Sequence, residues 1–304
     1  MLSAIIGQEK AVSILQQAVL RDRVAPAYLF VGMPGIGKTL TAKEFAHTLL
    51  AADSRLTHPD LLWIEPTYSE RGTLISASQA KVDNLKKRAA PQIRIEQIRQ
   101  LSQFLLRLPL KSDRLVVVIE DAHLMAEASA NALLKTLEEP GKGVIILTAP
   151  AVNSLLPTIV SRCQVIRFVP LSTAQLKQVL VKEGYETSTS DSSLLTMAQG
   201  SPGKFAAAWE GLQNINRINP ELLSELQNLP DDALSALMLA REITQQLELD
   251  HQLWLIDYLQ QYYWQQNRSP TTARTWEIAK RYLRSYVQPR LVWENLLLPN
   301  FESD

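Results

Sequence analysis

Hydrophobic positions change their rhythm along this chain, and each change marks a different kind of element. Val12, Leu15 and Val19 recur at helical spacing and predict an amphipathic helix over Gln8 to Leu20. Short, unbroken apolar runs then predict buried strands: Tyr28 to Val31, Asp60 to Ile64 (closed by Pro66), Leu115 to Ile119, Val144 to Leu147 and Gln164 to Phe168. Helix-forming stretches lie between them, at Thr39 to Leu50, at Ile95, Ile98, Leu101 and Leu105, and at Ala126 to Leu137. Uninterrupted aliphatic strands alternating with helices predict an α/β core, a five-stranded parallel sheet covered on both faces. From Tyr68 to Pro91 the apolar pattern fails. Lys81, Lys86, Lys87 and Arg88 in that stretch carry no aromatic interleaving, so it reads as a solvated excursion rather than a nucleic-acid surface.

Beyond Pro170 no strand candidate remains. Ser172 with Gln175 forms a capping box for a helix that Gly184 stops. A second helix spans Asp191 to Gln199, a third starts after Pro202, and from about Pro220 the chain is helical throughout. Trp254, Tyr258 and Tyr262, four apart, make a stripe read as core or subunit interface. The predicted divisions are an α/β core at 1–169, a small helical lid at 170–210 and an all-α unit at 211–304.

Composition narrows the classes. The chain has 304 residues, enough for two or three cores, and 46% of them are hydrophobic, as in a water-soluble globular protein. Thirty-one basic residues balance 31 acidic ones, so any contact with nucleic acid is expected to be shared with partners. One cysteine, Cys163, excludes an intramolecular disulfide and a cysteine-rich zinc site, and fits a reducing, cytoplasmic setting. Cys163 itself reads as a small packing residue, because no activating base can be named. The four histidines show no metal-ligand spacing. The N-terminus lacks the layout of a signal peptide, and no apolar run reaches membrane-spanning length, so no membrane partner is expected.

The chemistry concentrates in Gly32-Met33-Pro34-Gly35-Ile36-Gly37-Lys38-Thr39, which fits G-x-x-x-x-G-K-[ST]. A strand enters it and a helix leaves it, the context that the motif requires. Backbone N–H groups in such a loop curl around phosphate oxygens, and only glycine permits the turn and the close approach. Gly32, Pro34, Gly35, Gly37, Lys38 and Thr39 are therefore the candidate ATP-binding residues, with Lys38 on the outer phosphates and the Thr39 hydroxyl on Mg²⁺. The loop's position at the start of a helix adds a partial positive charge. A second acidic element belongs at the end of a neighbouring strand. Glu120 and Asp121 end the third strand, with Glu120 the candidate for the metal's shell and Asp121 for the base that polarises water. Thr148, at the end of the fourth strand, is a candidate phosphate sensor. Proteins of this chemistry usually place Asp before Glu. The reversed order changes both reaches by a methylene, which leaves intrinsic hydrolysis open while nucleotide binding stands.

Several further strings carry a resemblance. Asn131 to Pro140, reading Asn-Ala-Leu-Leu-Lys-Thr-Leu-Glu-Glu-Pro, and Ser161-Arg162-Cys163 are similar to strings of bacterial sliding-clamp loader subunits of the AAA+ class. Ile6-Gly7-Gln8-Glu9, Ala27-Tyr28-Leu29-Phe30 and His58-Pro59-Asp60 resemble the same family. The resemblance covers about residues 1 to 210 and extends to the C-terminal part only through its helical character. It implies that Arg162 is an arginine finger reaching into a neighbour's ATP site, that Mg²⁺ and ATP are the cofactors, and that residues 211–304 form an oligomerising collar. Other clamp-loader subunits of the gamma/tau and delta types, the sliding clamp and primed DNA are the implied partners. Gly200-Ser201-Pro202-Gly203 puts glycine where motor subunits of the family carry an arginine, with Lys204 the nearest cation, and this form resembles the delta-prime, stator-like type. The family's four-cysteine zinc module is absent after the phosphate loop, so no zinc is expected. The rival readings are a hydrolysing motor subunit of the gamma/tau type and, from another class, an unrelated P-loop kinase or NTPase.

Overall fold

The computed structural model describes residues 5–51, 58–70, 73–83, 90–185, 191–228, 232–285 and 287–298. Two compact units, Met1–Leu171 and Ser172–Asp304, divide the chain.

The first unit is built on a parallel sheet. Its strands are β1 (Ala27–Val31), β2 (Leu61–Ile64), β5 (Leu115–Ile119), β6 (Gly143–Ala149) and β7 (Gln164–Arg167), in the spatial order β2-β5-β6-β1-β7. Helices α1 (Glu9–Leu20), α2 (Lys38–Leu49), α4 (Ile95–Leu105), α5 (Glu127–Glu138) and the short α6 (Pro157–Val160) cover it. Side chains alternate between the faces of each strand, and both faces are apolar. Leu115, Val117 and Ile119 pack with Ile98, Leu101, Leu133 and Leu137 on the α4–α5 side. Val116 and Val118 pack with Leu15 and Phe45 on the α1–α2 side. That is why β1, β2, β5 and β6 read as apolar runs, while the edge strand β7 carries exposed Gln164 and Arg167. Tyr28 and Phe45 meet edge to face at 5.2 Å, locking α2 against β1.

The solvated excursion proves more ordered than its pattern predicts. It holds an antiparallel hairpin, β3 (Thr67–Glu70) with β4 (Thr73–Ser76), followed by α3 (Ala77–Val82). Thr67 exchanges backbone hydrogen bonds with Gln92, which ties the hairpin to the core. Neither strand belongs to the main sheet, so neither carries the continuous apolar run of a doubly covered strand. Its strand-favouring residues, Thr67, Tyr68, Thr73 and Ile75, are scattered among polar ones. Lys86, Lys87 and Arg88 lie outside the described residues, as does most of the segment where the zinc module is missing.

The second unit is helical: α7 (Thr173–Lys182), α8 (Ser192–Ala198), α9 (Pro202–Ile218), α10 (Leu222–Gln227), α11 (Ala233–Gln246), α12 (Leu249–Asn267), α13 (Pro270–Arg284) and α14 (Pro289–Leu297). The capping box at Ser172 and Gln175 forms as its sequence predicts. Much of the aromatic stripe on α12 is core. Tyr258 is buried, stacks on Trp254 at 5.3 Å, and donates its hydroxyl proton to Asp191. Trp254 lies in a notch that only Gly211 of α9 leaves open, since a Cβ there would stand 2.2 Å from the indole nitrogen. Trp293 is fully buried and donates to Gln252, which in turn donates to the Leu247 carbonyl. No described helix is long and apolar enough to cross a membrane.

Candidate nucleotide-binding site

Strand order sets the site. β1 lies between β6 and β7, and the chain leaves it for β2 at the far edge, so a crevice opens beyond the carboxyl ends at β1. The loop Gly32–Thr39 occupies that position. Gly32 sits where a Cβ would come within 2.8 Å of the Phe168 carbonyl oxygen and 2.9 Å of the Phe168 Cβ. Gly37, at the N-cap of α2, adopts φ +98° with open space around it, so backbone conformation rather than contact demands glycine there. Lys38 is buried, and its ammonium donates to the carbonyls of Gly32 at 2.6 Å and Met33 at 2.9 Å. Burial lowers its pKa, and the negative charge of Asp121 partly restores it. Thr39 is exposed at the first turn of α2. The cradle fits a phosphate: a cation, a glycine turn and the N-terminus of a 12-residue helix converge on one spot.

Glu120 and Asp121 follow β5 on the same edge of the sheet. The Asp121 backbone is left-handed, at φ 46°, and its N–H donates to Thr148 Oγ1 at 2.9 Å. Thr148 is 1% exposed, so its hydroxyl orients Asp121 from within the core. The Glu120 carboxylate accepts a hydrogen bond from Trp63 Nε1 at 2.9 Å. Lys38, Asp121 and Thr148 thus form one connected cluster, with Glu120 drawn to its side. Trp63 carried no sequence signal beyond its place in an apolar strand. A contact with a residue 57 positions away is visible only in three dimensions.

Arg162 lies elsewhere. Pairing of Tyr28 with Gln164 sets Arg162 two residues before the level of Tyr28, and Gly32 lies four residues beyond it. Arg162 therefore sits in the turn before β7, towards the amino-terminal end of the sheet, whereas Gly32 lies beyond the carboxyl end of β1. Its guanidinium is hydrogen-bonded to the Thr158 carbonyl at 2.8 Å and ion-paired with Glu138 at the end of α5. The helix-end string and the Ser-Arg-Cys string therefore meet in space. This exposed pair is worth only about 0–1 kcal/mol and holds the arginine's direction more than the fold. Next to it, the Cys163 thiol packs against the α4–α5 core, and burial pushes its pKa up to about 12. In the second unit Ser201 caps α9, and Lys204 donates to the Gln199 side chain at 2.7 Å. A cavity of about 910 Å³ opens beside Gly32, Arg167 and Phe168, but neither Lys38 nor Thr39 lines it. The chemistry lies at the loop, not in the larger hollow.

A parallel sheet in this order, with a glycine-rich loop after β1, an acidic pair after β5 and a helical second unit, defines a fold of the AAA+ class. Over 93% of this chain and 97% of its own, a DNA polymerase III gamma subunit-related protein from Thermotoga maritima superposes with a TM-score of 0.55 at 19% identity. Residues 7–172 match the family model described as DNA polymerase III, delta subunit. Residues 174–300 match cyanobacterial DNA polymerase III delta prime, C-terminal domain. Among similar proteins, the DNA polymerase III subunit delta' of Pseudomonas aeruginosa is 32% identical over 60% of this chain and 55% of its own length. Subunit gamma of Buchnera aphidicola is 30% identical over 60% of this chain and 50% of its own. Subunit tau of Escherichia coli is 31% identical over 58% of this chain and 26% of its own. The matched region spans about half the length of these relatives or less. The chain belongs to the family of DNA polymerase III clamp-loader subunits.

Proposed function

We propose that this protein serves as a delta-prime-type subunit of a clamp loader. In this reading it holds Mg-ATP in its own loop with little or no turnover and supplies Arg162 to the ATP site of a neighbouring subunit. The observation that carries the reading is the place of Arg162, in the turn before β7 and towards the end of the sheet opposite its own phosphate loop. An arginine there has no reach to a phosphate in its own site. Exposed at the start of an edge strand, it has reach to a subunit alongside. A guanidinium arriving from a neighbour neutralises charge that develops on the γ-phosphate, which makes hydrolysis depend on assembly.

Within its own site, Gly32, Pro34, Gly35, Gly37 and Lys38 would cradle the phosphates, and the Thr39 hydroxyl with one carboxylate of the acidic pair would serve the Mg²⁺. The ion supplies neutralisation of phosphate charge when bound. Thr148, through Asp121, would report whether the site is filled. Residues 170–210 would act as a lid and 211–304 as the collar. The partners would be gamma/tau-type and delta-type subunits, the sliding clamp and, through the assembly, primed DNA in the cytoplasm.

Turnover by the isolated chain and by the reconstituted complex tests the proposal. Arg162→Ala should depress the complex's ATPase at least about tenfold while assembly persists. Unchanged turnover would end the trans role. A second reading, a hydrolysing motor subunit, is favoured by the complete phosphate loop. Robust turnover by the isolated chain that Lys38→Ala abolishes would establish it in place of the first.

A further inference from the structure

The two acids after β5 are pulled in opposite directions by the strands on either side of them. In the order β2-β5-β6-β1, the phosphate loop lies two strands from β5 on the β6 side, about 10 Å away. Trp63 lies one strand away on the opposite side, level with Val118. Glu120 leans towards β2 with both its groups: its N–H donates to the Ile64 carbonyl at 2.8 Å, and its carboxylate accepts from Trp63 Nε1 at 2.9 Å. Asp121 leans the other way. Its left-handed backbone turns its N–H onto Thr148 of β6, the strand between β5 and the loop.

We infer that Asp121, not Glu120, is the carboxylate that serves the phosphate loop and its cation, and that Trp63 is a positioning residue that withdraws Glu120 from that task. An indole N–H can only donate, so it binds the carboxylate and cannot release it by exchanging roles. The inference rests on the proposed nucleotide binding and goes further. With the second acid of the pair on the metal's side, the water-polarising place is left without a carboxylate, a cause of weak turnover that lies in the chain's own sequence.

Calorimetric titration of the full chain with ATP, once with Mg²⁺ and once with EDTA, tests it. The readout is the gain in ATP affinity that Mg²⁺ confers. Asp121→Asn preserves the backbone, because asparagine tolerates the left-handed region, and Glu120→Gln preserves an acceptor for Trp63. Asp121→Asn should lose the Mg²⁺-dependent gain by tenfold or more, while Glu120→Gln keeps it within twofold. Loss of the gain in Glu120→Gln, or equal behaviour of the two variants, overturns the assignment while nucleotide binding stands. If the unaltered chain binds ATP under neither condition, the nucleotide-binding reading fails and the assignment falls with it.

Discussion

Asp60 holds a loop that cannot hold itself. After α4 the chain exposes Leu106, Leu108 and Leu110 at 87%, 78% and 71% of their surfaces, so these leucines contribute almost no burial to the fold. The loop is fastened instead by one carboxylate that is itself 0% exposed. Asp60 Oδ1 accepts from the Leu110 N–H at 2.7 Å. Its Oδ2 accepts from the N–H groups of Lys111 at 2.8 Å and Ser112 at 3.0 Å, and from the Ser112 hydroxyl at 2.8 Å. Burial alone would raise its pKa, but these bonds outweigh burial and hold it at about 2. Asp60→Asn replaces one acceptor oxygen by an NH₂ donor. In its better orientation the remaining oxygen keeps the three donors at Oδ2, and the NH₂ confronts the Leu110 N–H. Two donors are then left facing each other, at about 1–3 kcal/mol each when unsatisfied. A net loss of about 3 kcal/mol in a unit of this size lowers Tm by roughly 6–12 °C. Thermal melting followed by circular dichroism at pH 7 measures it. The pH dependence gives an independent check. A depressed folded-state pKa contributes stability that is fully present above the ordinary carboxylate range and is lost as pH falls through about 2. The gap between the wild type and Asp60→Asn should therefore close from about pH 4 downwards. A drop of less than 2 °C at pH 7, or a gap that stays constant down to pH 2, would refute the reasoning.

Other changes test other joints of the structure. Gly32→Ala forces a Cβ against Phe168 and should cost about 1–3 kcal/mol together with nucleotide affinity; unchanged melting and binding would show that β7 yields freely. Gly211→Ala should destabilise the helical unit by a similar about 1–3 kcal/mol as Trp254 is displaced, with a shift in tryptophan emission; an unaltered spectrum and Tm would contradict the packing. The Cys163 thiol, with its pKa at about 12, should react with a disulfide reagent at pH 8 roughly a thousandfold more slowly than a free cysteine, and free-cysteine rates in the native protein would disprove its burial.

Much of the fold was legible because one physical condition governs it. A strand covered on both faces must be apolar at every position, so the inner strands announce themselves, and β1, β5 and β6 are buried along their whole length. The phosphate loop was legible for the same kind of reason, since close approach to Phe168 at Gly32 and a left-handed backbone at Gly37 exclude most residues. The β3–β4 hairpin was not, because it stands apart from the main sheet and carries no doubly buried apolar run.

Sequence alone determined which residue types stand at the ends of the strands: Gly32 to Thr39, Glu120 with Asp121, and Thr148, all at or beyond the carboxyl ends, where ligands of such sheets bind. The directions in which they point were decided by tertiary structure. Glu120 is held by an indole from β2, Asp121 by a hydroxyl from β6, and Arg162 by Glu138 at the end of α5. Each of these contacts joins residues 24 or more positions apart. Local pattern has no access to them, because strand order, which brings those residues side by side, is a property of the folded sheet.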